Sequence, residues 1–210
     1  MACAYASHGD TKHVLLFPST PAECSDMGAE AFDLAEQLQT PVIIMNDLDL
    51  GMNDSMSPPL KWDDSREYQR GKVYTSEQLE AMSERFGRYL DSDGDGIPYR
   101  TYPGTHPEKG AFFTRGTSRD EYAVYTEDSA AYEYNMQRLL KKWDTAKTYV
   151  PDAEVIGQGS KVGVIYFGTS RDATLEAVAA LRDSGITVDS LRLRAFPFDA
   201  SVDKFIAEHD

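Results

Sequence analysis

Asp91-Ser92-Asp93-Gly94-Asp95-Gly96 is the string with the most suggestive chemistry. Carboxylates at the first, third and fifth positions and a glycine at the sixth open an EF-hand calcium loop, which closes on a bidentate Glu at the twelfth. Here the twelfth residue is Tyr102, and Pro98 sits where the second helix would have to continue. Asp91, Asp93 and Asp95 are therefore a weak calcium candidate, and a loop built on Asx turns is the simpler reading. His8, Gly9 and Asp10, with His13 further on, could supply two imidazoles and a carboxylate to a metal. Without flanking ligands they read better as a polar loop at the entry to a sheet. Gly168-Thr169-Ser170 stands where a strand meets a helix N-terminus, a place that can hold phosphate on free backbone N–H groups. It lacks the further glycines of a dinucleotide loop and the GK[ST] of a P-loop, so a tight turn is the simpler reading. GxSxG and HExxH are absent. The two cysteines, Cys3 and Cys24, form no CxxC pair and encode no zinc ribbon, disulfide framework or iron–sulfur ligand set.

The elements that must position these residues alternate between strand and helix. Val14–Phe17 is a short apolar run of the kind found in a buried parallel strand. Thr20-Pro21-Ala22-Glu23 is an N-cap, a proline at the first helical position and the acidic end of a capping box. The helix that follows carries Met27, Ala31, Leu34, Ala35 and Leu38 on one face and stops before Pro41. Val42–Met45 is a second buried strand, so the two strands should be parallel with a right-handed crossover. Asn46, Asp47, Asn53 and Asp54 lie beyond that strand's C-terminal end, where open α/β sheets bind ligands.

Residues 46–75 read as a long polar loop, rich in Asp, Pro and Gly. A loop of that length is often functional. Thr75-Ser76-Glu77-Gln78 caps a helix over about 76–88, with Leu79, Met82 and Phe86 inward. Residues 91–120 are irregular. A longer helix over about 127–148 has Tyr132, Met136, Leu139, Leu140 and Trp143 as its apolar stripe. Residues 151–160 read as a linker. The α/β pattern then resumes: a strand over 162–167, a helix over about 172–183 with Leu175, Val178, Ala179 and Leu181 inside, Gly185 just past its end, and a strand over 186–193. A turn at Pro197 and a short helix from about 200 follow.

The chain has 210 residues, 41% apolar and 27% charged, as expected of a globular protein with a real core. Its formal net charge of −14 argues against nucleic-acid partners and against an anionic membrane surface. There is no apolar run long enough for a membrane span and no signal-peptide pattern, so a reduced cytoplasmic location is the expectation. Two parallel strands and one crossover bury too little to stand alone. The chain is therefore expected to be an internal fragment of a larger α/β enzyme.

Longer strings point to one family. ASHGDTKHVLLFPSTPAEC, AFDLAEQLQTPVIIMNDLDLGMND, WDDS, RGKV, FGRYLDSDGDGIPYRTYPGTHP, GAFFTRGTSRDEYAVYTED and NMQRLLKKWDTAK occur in order. Together they resemble the α subunit of 2-oxoglutarate:ferredoxin oxidoreductases, within the 2-oxoacid:acceptor oxidoreductases. KVGVIYFGTSRDATLEAVAALRDSGITVDSLRLRAFPFD resembles the start of that family's transketolase-C-like, Rossmann-like domain. The resemblance implies an α/β fold. Residues 1–55 would end a thiamine-diphosphate pyrimidine-type domain, 56–150 would be an irregular and helical insert, and 151–160 a linker. Residues 161–210 would open the next domain.

It also implies oxidative decarboxylation of 2-oxoglutarate to succinyl-CoA, with electrons passed to ferredoxin. Thiamine diphosphate, magnesium and the iron–sulfur cluster would be held mainly by a partner β subunit, and none by this chain alone. The family's YPITPS-type and RxGPSTGxPT-type substrate strings do not occur here. The chain alone is thus expected to be inactive, with catalytic residues unassigned. Arg119 stands where many relatives have His, and Ser55 where many have Trp. The residues implied to lie near the active site are His8, Gly9, Asp10, Asn46, Asp47, Asn53 and Asp54. The alternative is a non-catalytic structural or calcium-binding module.

Overall fold

A computed structural model describes residues 2–6, 11–114, 118–157 and 159–210. After a short 3₁₀ turn at Cys3–Tyr5, strand β1 (Val14–Leu16), helix α1 (Pro21–Leu38) and strand β2 (Val42–Ile44) form the expected βαβ unit. β1 and β2 are parallel, with Val14 opposite Val42 and Leu16 opposite Ile44. Thr20 caps α1 by accepting from the Glu23 N–H. The other half of the expected capping box is rerouted. The Glu23 carboxylate accepts from the N–H and hydroxyl of Ser19, each at 2.8 Å, and pairs with Arg192. Arg192 is buried, so it draws the nearest carboxylate to itself.

Helix α2 (Leu48–Met52) lies within the stretch expected to be a long loop. Helix α3 spans only Ser76–Ala81, although its Thr75/Gln78 capping box is complete. It ends where Met82 turns to extended backbone. Helix α4 (Ser129–Ala146) follows a long irregular stretch.

The polypeptide then builds a second sheet from strands β3 (Glu154–Ile156), β4 (Gly163–Phe167) and β5 (Asp189–Leu193), in the order β3-β5-β4. β3 falls inside the expected linker. It is held there by antiparallel pairing with β5 and by Glu154, whose carboxylate lies 3.1 Å from Arg192 and 3.5 Å from Arg194. Helix α5 (Ser170–Asp183) crosses over between the parallel strands β4 and β5. One residue after β5, the chain enters the first sheet as strand β6 (Ala195–Phe196), antiparallel to β1. One stretch of chain thus ties the two sheets together, which the pattern around Pro197 does not announce. Helix α6 (Ala200–Glu208), capped by Asp199, packs Val202 and Phe205 on Leu191.

The main core joins both halves of the chain. Val14, Leu16, Met27, Leu34 and Leu38 of the first unit meet Ile97, Ala146, Val150 and Ala195. Two expected apolar faces turn out otherwise. On α5, Leu175, Val178 and Ala179 are only half-buried and Leu181 is exposed. On α4, the buried residues are Arg138, Lys142 and Ala146, whereas Tyr132 is 44% and Leu140 53% exposed. Trp143 alone of that stripe reaches the main core, where its ring lies 5.2 Å from Phe196. The cause is the loop at Gly96, whose backbone lies directly against α4. A Cβ there would sit 2.2 Å from the Lys142 nitrogen and 2.6 Å from the Arg138 oxygen. Polar packing of that loop sets which face of α4 turns inward.

Candidate functional site

The C-terminal ends of β1, β2 and β4 converge on one edge, the position at which open α/β sheets take ligands. Phe17 follows β1 and Phe167 ends β4, and their rings lie 5.4 Å apart. Asp47 follows β2 and caps α2 by accepting from the Leu50 N–H at 3.0 Å. Its other carboxylate oxygen accepts from the Thr169 hydroxyl, next to Gly168 in the turn before α5. The Thr169 and Leu50 hydrogen bonds hold the Asp47 carboxyl below its ordinary pKa. Gly168-Thr169-Ser170 therefore receives a carboxylate from the protein itself at the place where a phosphate was conceivable. Asn46 is exposed beside Asp47, and Asn53 ends α2 with its side-chain amide donating to Asp49 at 3.4 Å. Asp54 is exposed on the following loop. His8, Gly9 and Asp10 lie outside the described residues. His13 is buried at the start of β1. The edge brings Asp47 and Thr169 together and leaves Asn53 and Asp54 with no part in that contact.

The acidic loop has a different centre from the one the calcium reading supposes. The three carboxylates of Asp91, Asp93 and Asp95 do lie within 4.8 Å of one another. Asp91, however, accepts the N–H groups of Gly94 and Gly96 at 3.1 and 3.0 Å, and Asp95 accepts the Ile97 N–H at 2.8 Å, the two-residue reach of an Asx turn. The Lys72 ammonium lies 2.7 Å from Asp93, 2.7 Å from Asp95 and 3.0 Å from the Ile97 carbonyl. An amine of the chain stands where a cation would. Burial by itself would lower the Lys72 pKa, but the two aspartates outweigh it and hold it above the ordinary value.

Sequence reasoning missed a third cluster, a cavity of about 460 Å³ bordered by Arg88, Arg119, Arg138 and Lys142. The signal available was small: Arg138 and Lys142 are one helical turn apart and so share a face of α4. Nothing in their spacing says that this face is buried. Thr11, the first described residue after His8-Gly9-Asp10, lines the same cavity.

These features define a mixed α/β segment with a strand-end edge and a separate basic cavity. No protein-family model matches the chain. In sequence it is similar to the α subunit of 2-oxoacid:ferredoxin oxidoreductase 2 from Aeropyrum pernix, 28% identical over 92% of this chain and 30% of the relative. It is likewise similar to the 2-oxoglutarate synthase subunit KorA of Methanothermobacter marburgensis, 26% identical over 94% of this chain and 50% of the relative. The ketoisovalerate oxidoreductase subunit VorB of the same organism is 26% identical over 96% of this chain and 47% of its own length. In structure the whole chain superposes on 36% of a 2-oxoglutarate:ferredoxin oxidoreductase from Magnetococcus marinus, solved with 2-oxoglutarate, coenzyme A and succinyl-CoA bound. The TM-score is 0.83 and the identity 21%. The chain is thus similar, along nearly its whole length, to one stretch of 2-oxoacid:ferredoxin oxidoreductase α subunits. It spans about a third to a half of the relatives it matches.

Proposed function

We propose that this chain is part of the α subunit of a 2-oxoacid:ferredoxin oxidoreductase, and that the oxoacid is 2-oxoglutarate. One observation carries the reading: colinear similarity over more than nine-tenths of the chain to α subunits of this one enzyme class. The reaction would be oxidative decarboxylation to succinyl-CoA, with two electrons delivered to ferredoxin in the cytoplasm. On this reading residues 1–55 end a pyrimidine-type domain, and 161–210 begin a transketolase-C-like one.

Two cysteines are fewer than the four ligands an iron–sulfur cluster takes. The described residues offer no magnesium site beyond the acidic loop, where Lys72 already sits. The chain's own described residues therefore do not fit a cluster or magnesium, and those groups, with thiamine diphosphate, are assigned mainly to a partner β subunit. This chain contributes the strand-end edge around Asp47 and Thr169. No helix among the described residues is long and apolar enough to cross a membrane. Apolar side chains left in solvent on the second sheet, Val155, Ile156, Ile165 and Phe167, suit a protein that works in an assembly.

The test is co-expression with the β subunit and an assay of CoA-dependent viologen reduction with 2-oxoglutarate, 2-oxoisovalerate and pyruvate. Turnover by the complex, highest with 2-oxoglutarate, and none by this chain alone is the expected result. Substantial turnover without a β subunit would sink the reading, as would a silent complex with every oxoacid.

A further inference from the structure

The cavity behind α4 gathers the cationic side chains of Arg88, Arg138 and Lys142 from one loop and one helix. Arg138 and Lys142 are each only 8% exposed. Arg138 donates to the Gly96 carbonyl at 3.0 Å, and the Lys142 ammonium has the Gln39 carbonyl at 3.4 Å. Arg88 has a buried guanidinium nitrogen, Nη1, with no hydrogen-bond partner. The guanidinium carbons of Arg88, Arg119 and Arg138 lie 5.2, 5.5 and 5.7 Å from the centre of the Tyr89 ring, so three cations gather round one aromatic face or edge. Among the described residues, Arg88, Arg138 and Lys142 make no ion pair with a carboxylate. Asp91 acts on Arg138, but one of its oxygens is already held by the amides of Gly94 and Gly96.

A protein of net charge −14 has ample carboxylates to pair with these groups. Buried cations without an anion are costly unless something supplies one. The cavity is of ligand size. The rest of its described lining includes the hydroxyls of Thr11 and Thr40, the amides of Gln39 and Asn135 and the apolar Met136 and Leu139, with no carboxylate.

We propose that this cavity binds a compact oxyanion carrying at least two negative charges, held by Arg88, Arg138 and Lys142. The geometry suits a doubly charged group because donors from a loop and a helix face one open cavity, and charge-assisted hydrogen bonds are the strong ones. The group could belong to a phosphate ester or to a dicarboxylate. The proposal does not depend on the oxidoreductase reading, and its test needs no turnover.

Titration calorimetry on the intact protein, with inorganic phosphate and with malonate at matched chloride ionic strength, tests it. Saturable binding of either probe with Kd of about 1 mM or below is expected. Phosphate alone would mark the ester source, malonate alone the carboxylate source, and both would mark recognition by charge. Arg88→Gln and Lys142→Met should each weaken binding at least about tenfold. Neither should lower the melting temperature of the unliganded protein, because Lys142 is a buried charge and Arg88 a half-buried one with no carboxylate partner among the described residues. Arg88→Lys, which keeps a charge, should retain more of the affinity than Arg88→Gln. No saturable heat with either probe overturns the proposal. So does unchanged affinity in Arg88→Gln and Lys142→Met, or a lowered melting temperature with binding intact, which would mark the cations as structural.

Discussion

Lys72 and Lys142 both pack against the same short loop, residues 91–97, and meet opposite electrostatic fates. Lys72 places its ammonium 2.7 Å from each of two aspartates, and those partners hold its charge firmly. Lys142 is more deeply buried and meets a carbonyl and two arginines instead. Burial first, then Arg138 and Arg88, push its pKa down to about 8. One loop thus carries an internally neutralised cation and an unneutralised one. The first is what a structural charge looks like. The second has no carboxylate partner among the described residues, which is what the proposed anion would supply.

The loop's approach to α4 is the condition for that contrast, so breaking it should have the largest effect. Gly96 has φ +81 and no room for a Cβ against the backbone of Arg138 and Lys142. Gly96→Ala should cost about 4 kcal/mol or more, combining a disfavoured conformation with a backbone clash. Chemical denaturation measures this directly. A loss below about 1 kcal/mol would mean that the loop can lift off α4. The comparison of the two lysines would then lose its geometric basis.

Lys142→Met is the next largest, and it acts in the stabilising direction. The native pKa of about 8 lies below the ordinary 10.5, so the unfolded chain binds more protons between those values. Stability therefore rises with pH across that window, and the full penalty is present below pH 8. The shift corresponds to about 3 kcal/mol. Methionine of similar length should recover roughly half of it at pH 7, 1–2 kcal/mol, since the Gln39 contact is lost as well. The gain should shrink towards zero near pH 10.5. A gain that is flat in pH would show that Lys142 is not the titrating group.

How much of this was legible in the sequence divides along the same line. The first βαβ unit could be read because its apolar runs, the Thr20 cap and Pro41 are local signals. The helical spacing of Met27, Leu34 and Leu38 matches the face that α1 buries. α4 could not be read that way. Its periodicity nominated Tyr132 and Leu140, yet a glycine more than thirty residues upstream turned Arg138 and Lys142 inward. β3 was hidden in an expected linker because only its partner strand β5 and the Glu154–Arg192 pair make it a strand. At the candidate site, the position of Asp47 just after β2 is legible in the sequence. Its bond to Thr169 spans 122 residues and has no sequence signature. The basic cavity is assembled from Arg88 in a loop and Arg138 and Lys142 on a helix, a grouping that only tertiary packing produces.

Lys72→Ala probes the neutralised side of the contrast, with a smaller effect. It removes one ammonium and leaves Asp93 and Asp95 facing each other, but those carboxylates are 43% and 32% exposed, so water screens much of the repulsion. A loss of about 1–2 kcal/mol is expected.

The same substitution sharpens the smallest prediction, which concerns calcium. In the native protein the ammonium already occupies the space between Asp93 and Asp95, so a divalent ion would have to displace a paired charge from an incomplete ligand set. Millimolar calcium or a chelator should therefore leave the native melting temperature unchanged within error. In Lys72→Ala the three aspartates keep their spacing without the competing amine, and calcium should now raise the melting temperature. Stabilisation grows with the ratio of free ion to Kd, reaching about 2.7 kcal/mol at a hundredfold excess. A calcium-dependent melt in the native protein would show that Lys72 yields to a metal, and the loop would then be an ion site rather than a closed structural pair. No response in either protein would show that the missing twelfth-position glutamate, more than the lysine, is what keeps calcium away.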